Sequence, residues 1–233
     1  SYDGGYWSYL VIGTLIWNAI YYNVEAYNPS TSWRNSYAFA ALKEDGTVQA
    51  WGDSAWGNSG YGGSGVPGDL KDVWVIYSTY GAFAALKEDG TVQAWGSSYY
   101  GGSGVPGDLK DVRAIYSTDG AFAALKEDGT VQAWGYASNG GSGVPADLKD
   151  VRAIYSTDGA FAALKEDGTV QAWGYASNGG SGVPADLKDV RAIYSTSSAF
   201  AALKEDGTVQ AWGASDYGGS GVPGDLKDVR AIY

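Results

Sequence analysis

The string AFAALKEDGTVQAWG occurs five times in this chain of 233 residues. Its phenylalanines are Phe39, Phe83, Phe122, Phe161 and Phe200, spaced 44, 39, 39 and 39 residues apart. A fixed period of this length dictates an array of like units, because one such unit cannot bury its own apolar surface and must lean on its neighbours. Residues 115–153 and 154–192 are identical. Recent duplication and deliberate consensus building would each leave that identity. The extra residues of the first interval lie in the linker DSAWGNSGYGGSGVPGDLKDV.

Each copy reads as three short strands. Around Phe122, VRAIY (residues 112–116) is rich in β-branched and aromatic residues, and STDG (117–120) supplies turn residues. AFAALK (121–126) and TVQAW (130–134) then flank EDG (127–129). Asp-Gly between two apolar runs is a strong hairpin signal. The stretch YASNGGSGVPADLKD (136–150) reads as a loop, punctuated by Asn-Gly, Gly-Gly and Pro, with room for one further short strand.

Alternation along a strand sorts these side chains into two faces. Ala121, Ala123 and Leu125 oppose Phe122 and Ala124, while Val131 and Ala133 oppose Thr130, Gln132 and Trp134. Small residues on both faces suit sheets stacked closely on other sheets. Neighbouring units are therefore expected to complete each other's cores.

The segment IYSTDGAFAALKEDGTVQAWG resembles the bacterial form of the RCC1-type repeat. That signature runs from an Ile/Val strand through an A-L-x-x-D-G hairpin to a W-G end. RCC1-type repeats build β-propeller blades, more numerous per ring and longer than those of this chain. The resemblance therefore implies the blade fold, without a full-sized ring. The His and Gly-Gln-Leu-Gly positions common in the family are missing, so no functional residue is carried over. The expected class is all-β: repeated antiparallel units of three to four strands, forming a small propeller or an open propeller-like array. Residues 1–36 stand apart as an N-terminal segment, and residues 37–233 hold the five RCC1-like repeats of about 39 residues.

The two ends of the array do not match. The chain ends in VRAIY (229–233), a first strand with no hairpin after it, and NAIYY (18–22) resembles the same strand ahead of the first hairpin. In a closed ring the surplus strand would clasp the first blade. In an open array it would be an unpaired edge, which recruits other chains. Residues 6–22 carry no charge and are rich in Tyr, Trp, Val, Ile and Thr, which favours strands. This run is at the short limit for a membrane helix and lacks the flanks of a signal peptide. Three expectations compete for it: a clasp within the same subunit, a donor strand that enters the next one, and a membrane-associated segment. The expected assembly residues are Tyr6, Trp7, Tyr9, Leu10, Val11, Ile12, Leu15, Ile16 and Trp17, with Val229, Ala231, Ile232 and Tyr233 at the other end.

Composition bounds the chemistry. There is no His, Cys or Met. A Ser-His-Asp triad, an imidazole base, a thiol nucleophile, a disulfide and the usual zinc sites are all closed to such a chain. The net charge of -11 opposes phosphate backbones and anionic membranes. Repeated acidic residues such as Glu127, Asp128, Asp147 and Asp150 are copied in every unit, unlike a catalytic pair. Asp128 and its copies are expected to shape the hairpin, and Asp147 to pair with Lys149 at the surface. Trp51, Trp95, Trp134, Trp173 and Trp212 recur in register and read as packing. Tyr61, Tyr99, Tyr100, Tyr136, Tyr175 and Tyr217 lie in Gly-rich loops and are the candidates for glycan contact.

The resulting expectation is a structural, non-catalytic subunit of an extracellular or cell-surface filament, assembled head to tail by strand addition. Its expected partner is a further copy of itself, with surface glycans second. Nucleic acid, a membrane span, a metal and a cofactor are not expected. A carbohydrate-binding or adhesive propeller and a designed repeat scaffold are the alternatives.

Overall fold

The structure is a computed structural model and describes residues 34–53 and 60–233. The described residues form five separate antiparallel sheets in sequence order. The first holds β1 (Ala38–Leu42) and β2 (Val48–Gly52). The second holds β3 (Val73–Ser78), β4 (Ala82–Lys87) and β5 (Val92–Gly96). The third holds β6 (Val112–Ser117), β7 (Ala121–Lys126) and β8 (Val131–Gly135). The fourth holds β9 (Val151–Ser156), β10 (Ala160–Lys165) and β11 (Val170–Gly174), and the fifth β12 (Val190–Ser195), β13 (Ala199–Lys204) and β14 (Val209–Gly213). Each complete sheet is a meander of three strands. The expected all-β repeat architecture is thus present.

The hairpin forms where Asp-Gly predicts it. Gly129 turns the chain at φ 77°, and Asp128 Oδ1 accepts from the Thr130 amide at 2.9 Å and from its hydroxyl at 2.5 Å. Thr130 is therefore tied into the turn, and the strand begins one residue later, at Val131. At the other corner the Thr118 hydroxyl donates to the Asn139 carbonyl at 2.9 Å and accepts from the Ala121 amide. The long loop holds no fourth strand. It forms a short 3-10 turn at Ala137–Asn139, ended by Gly140 at φ 96°.

The first strand is not regular. Val112 pairs with Lys126 but Ala114 pairs with Leu125, so Arg113 is an extra residue in a bulge. A bulge re-aims its side chain. Here the guanidinium reaches the next sheet, where Arg113 Nη2 donates to the Val151 carbonyl at 3.0 Å and the Arg152 carbonyl at 3.3 Å. Arg152 repeats this on Val190 and Arg191. In β3 the bulged residue is Trp74.

The core lies between sheets. Ala121, Ala123, Leu125 and Val131 of the third sheet pack against Ile154, Phe161, Ala163 and Trp173 of the fourth. The same set recurs one sheet earlier and one sheet later. Phe161 and Trp173 are cross-strand partners whose rings stack at 5.2 Å. Alanines on the facing sheet let the two backbones approach. Burying each Phe or Trp removes enough apolar surface to stabilise the seam by about 1.5–3 kcal/mol or more. Backbone bonds tie the seams at both ends. The Val151 amide donates to Gly129 at 3.0 Å, and a ladder runs from Ser36 to Tyr80, Asp119, Asp158 and Ser197, each donating to the next.

Candidate assembly surfaces

The repeat leaves a different half-seam at each end of the array. The first sheet has only β1 and β2 among the described residues, so the outer edge of β1 has no neighbouring strand there. Phe39 and Trp51 occupy the positions held by Phe161 and Trp173 in the fourth sheet. They stack on each other at 5.4 Å but are 67% and 53% exposed, against 0% and 3% for the buried pair.

The last residues form the complementary half. Residues 229–233 are not paired in a ladder. They nevertheless occupy the place of a first strand. The Val229 amide donates to Gly207 at 3.0 Å, as Val151 does to Gly129, and Arg191 Nη2 donates to the Val229 and Arg230 carbonyls, each at 3.1 Å. Val229, Ala231, Ile232 and Tyr233 are thus placed together, with Tyr233 fully exposed. The other expected assembly residues, Tyr6 to Trp17, and the strand expected at 18–22 lie outside the described residues.

The loop tyrosines separate into two groups. Tyr61, Tyr99, Tyr100 and Tyr136 belong to one aromatic cluster that also draws in Tyr37 and Tyr80. Tyr37 and Tyr61 stack at 4.2 Å, Tyr99 and Tyr136 at 4.3 Å, and the Tyr37 and Tyr80 hydroxyls lie 2.8 Å apart. Hydrogen bonding to Tyr80 lifts the Tyr37 phenol to about 12, and bonding to Tyr136 lifts Tyr99 to about 12. Tyr175 and Tyr217 stand in later loops and are exposed, as Tyr99 is, while Tyr61, Tyr100 and Tyr136 are half-buried.

The carboxylates play local roles. The Thr130 bonds, more than Lys126, hold Asp128 below the usual carboxylate range, and Asp45, Asp89, Asp167 and Asp206 repeat this. Asp147 does not pair with Lys149 as expected. It accepts from Gln171 Nε2 at 3.2 Å, because the loop runs beside the second hairpin strand. The lysine partner within each unit is instead the turn aspartate, as in Lys126–Asp128 at 3.5 Å. Among the described residues no three carboxylates gather as a metal site would require, and no helix is long and apolar enough to cross a membrane.

Asp119 differs from these. Burial raises its carboxyl, and a hydrogen bond from Asn139 only partly offsets that. Asp158 is raised too, by burial and then by the charge of Asp119. A raised acid favours the folded state below its unfolded value of 3.8, and that advantage is lost as pH rises through the folded value. Asp119→Asn keeps the oxygen that accepts from Asn139 and removes the charge. It should raise the melting temperature at pH 7 and leave it unchanged at pH 3. Thermal melts at both pH values check this, and equal shifts would contradict it.

No family model matches the sequence, and no curated protein does. Solved structures do match. The ectodomain of the Physcomitrella patens receptor kinase CR4 aligns with a TM-score of 0.53 at 18% identity, covering 77% of this chain and 50% of that one. The CRINKLY WD40 ectodomain of the Arabidopsis thaliana receptor kinase ACR4 gives 0.52 at 20%, covering 76% and 68%. Yeast RCC1 (Prp20), in its complex with Kap60, gives 0.50 at 19%, covering 78% and 55%. This chain spans about half the length of the CR4 ectodomain and of yeast RCC1. At these identities the likeness speaks of fold alone, and the fold is that of an RCC1-like β-propeller whose blades are the five sheets.

Proposed function

We propose that this chain is a non-catalytic structural subunit of a bacterial extracellular or cell-surface filament. Copies join head to tail by strand addition. Residues 229–233 of one copy pair as a first strand against β1 of the next, whose outer edge carries no strand among the described residues. The observation that carries this reading is the placement of residues 229–233. They are held by Gly207 and Arg191 as β9 is held by Gly129 and Arg113, and β12 by Gly168 and Arg152. Strand addition satisfies the backbone of both partners, and a head-to-tail contact that does not close propagates. Binding of surface glycans is the second reading. Its support is narrower and rests on the exposed rings of Tyr99, Tyr175 and Tyr217.

Cross-linking tests the strand pairing directly, since the chain has no Cys of its own. Ile193 is the register partner of Ala202, so Ile232 of one copy should face Ala41 of the next. Ala41→Cys and Ile232→Cys proteins, mixed and oxidised, should give covalent heterodimers. A protein carrying both changes should give a ladder of higher species, seen as filaments by negative-stain microscopy. Absence of heterodimers, or cross-links confined to single chains, would overturn the proposal.

A further inference from the structure

Each internal seam has the same centrepiece. The Phe161 ring sits on Gly140 so closely that a Cβ there would lie 2.6 Å from the ring, and Trp173 Nε1 donates to the Gly140 carbonyl at 3.0 Å. Phe200 and Trp212 do the same on Gly179, at 2.7 and 3.0 Å. Gly218 is the next glycine in this series. It ends the same kind of 3-10 turn with φ 92°, but nothing lies within 4 Å of its would-be Cβ. Among the described residues it is an open socket whose carbonyl accepts no hydrogen bond.

The matching knob is at the other end of the chain. Phe39 and Trp51 are stacked in the seam geometry and exposed, and the Trp51 indole N–H has no acceptor among the described residues. We infer that Phe39 and Trp51 of one copy seat on Gly218 of a second copy of this chain. The phenylalanine ring fills the space over Gly218, and the indole N–H donates to its carbonyl. The inference rests on the strand-addition reading and goes beyond it. Pairing of residues 229–233 with β1 in the internal register places Phe39 one repeat beyond Phe200, over Gly218. The same placement brings the Ser197 amide to the Ser36 carbonyl and extends the backbone ladder across the junction. The occupant is a second copy because both halves of the seam belong to this chain and four internal seams already join such halves.

The test uses the full chain and measures the concentration at which half of it is assembled, by sedimentation velocity. Phe39→Asp should raise that concentration at least tenfold. Trp51→Phe keeps the ring but removes the N–H, and should raise it several-fold. Lys149→Ser, an exposed change in a loop away from both ends, should leave it unchanged. All three should keep the circular dichroism and melting temperature of the parent. Assembly that persists in Phe39→Asp, with Ala41→Cys and Ile232→Cys still cross-linking, overturns the knob and socket and leaves strand addition standing. A parent chain that stays monomeric and gives no cross-link overturns both.

Discussion

Phe161→Ala should lower the unfolding free energy by about 3–5 kcal/mol, the usual cost of emptying a fully buried Phe site. Phe39→Ala should cost less than about 0.5 kcal/mol, the range of ordinary surface changes. The two residues share one local sequence and one strand position, and they differ in what faces them. Phe161 is sealed between Gly140 and the alanine face of the third blade, whereas Phe39 faces solvent. Denaturant melts on dilute, unassembled protein make the comparison. Equal losses would mean that the seams do not carry the stability of the array. In a repeat protein the loss should also decouple the blades on either side, broadening the transition.

Gly141→Ala should be about as damaging, at about 3 kcal/mol, the upper end of overpacking costs. Its Cβ would lie 2.4 Å from the Gly135 carbonyl oxygen and 2.5 Å from the carbonyl carbon. Both are backbone atoms of β8, so no rotamer change relieves the clash. Gly107→Ala is the control. It meets nothing within 4 Å and has no left-handed φ. Restricting the unfolded chain there should gain up to about 1 kcal/mol. Thermal or urea denaturation separates the two. A tolerated Gly141→Ala would show that the loop can shift away from the hairpin.

Much of this architecture is legible in the amino-acid order. Asp-Gly marks every hairpin, and alternation assigns Phe122 and Leu125 to opposite faces, because both signals are local. The Arg113 bulge was not legible. VRAIY reads as an unbroken strand, and only its pairing with AFAALK shows that one residue is extra. The Asp147 partner differs from the one its sequence neighbours suggest for a related reason. Lys149 is near in sequence, but Gln171, 24 residues on, is near in space. The mismatched ends could be read from the repeat count, yet their chemistry could not. Gly218 looks like every other loop glycine until the rings over Gly140 and Gly179 are seen.

The bulged arginines also give the array a mechanical direction. Guanidinium bonds cross the seams from Arg113, Arg152 and Arg191 onward, but the corresponding place in β3 holds Trp74, and the first blade has no such strand among the described residues. The seams are therefore riveted by arginine toward the C-terminal end, and held toward the other by packing, backbone bonds and the Trp95 and Trp134 indole bonds. Under load or denaturant the blades should peel from the N-terminal side first. In a chain of such subunits each junction would then pair a riveted end with an end that yields, so strain would concentrate beside the junctions and spare the middle of each subunit.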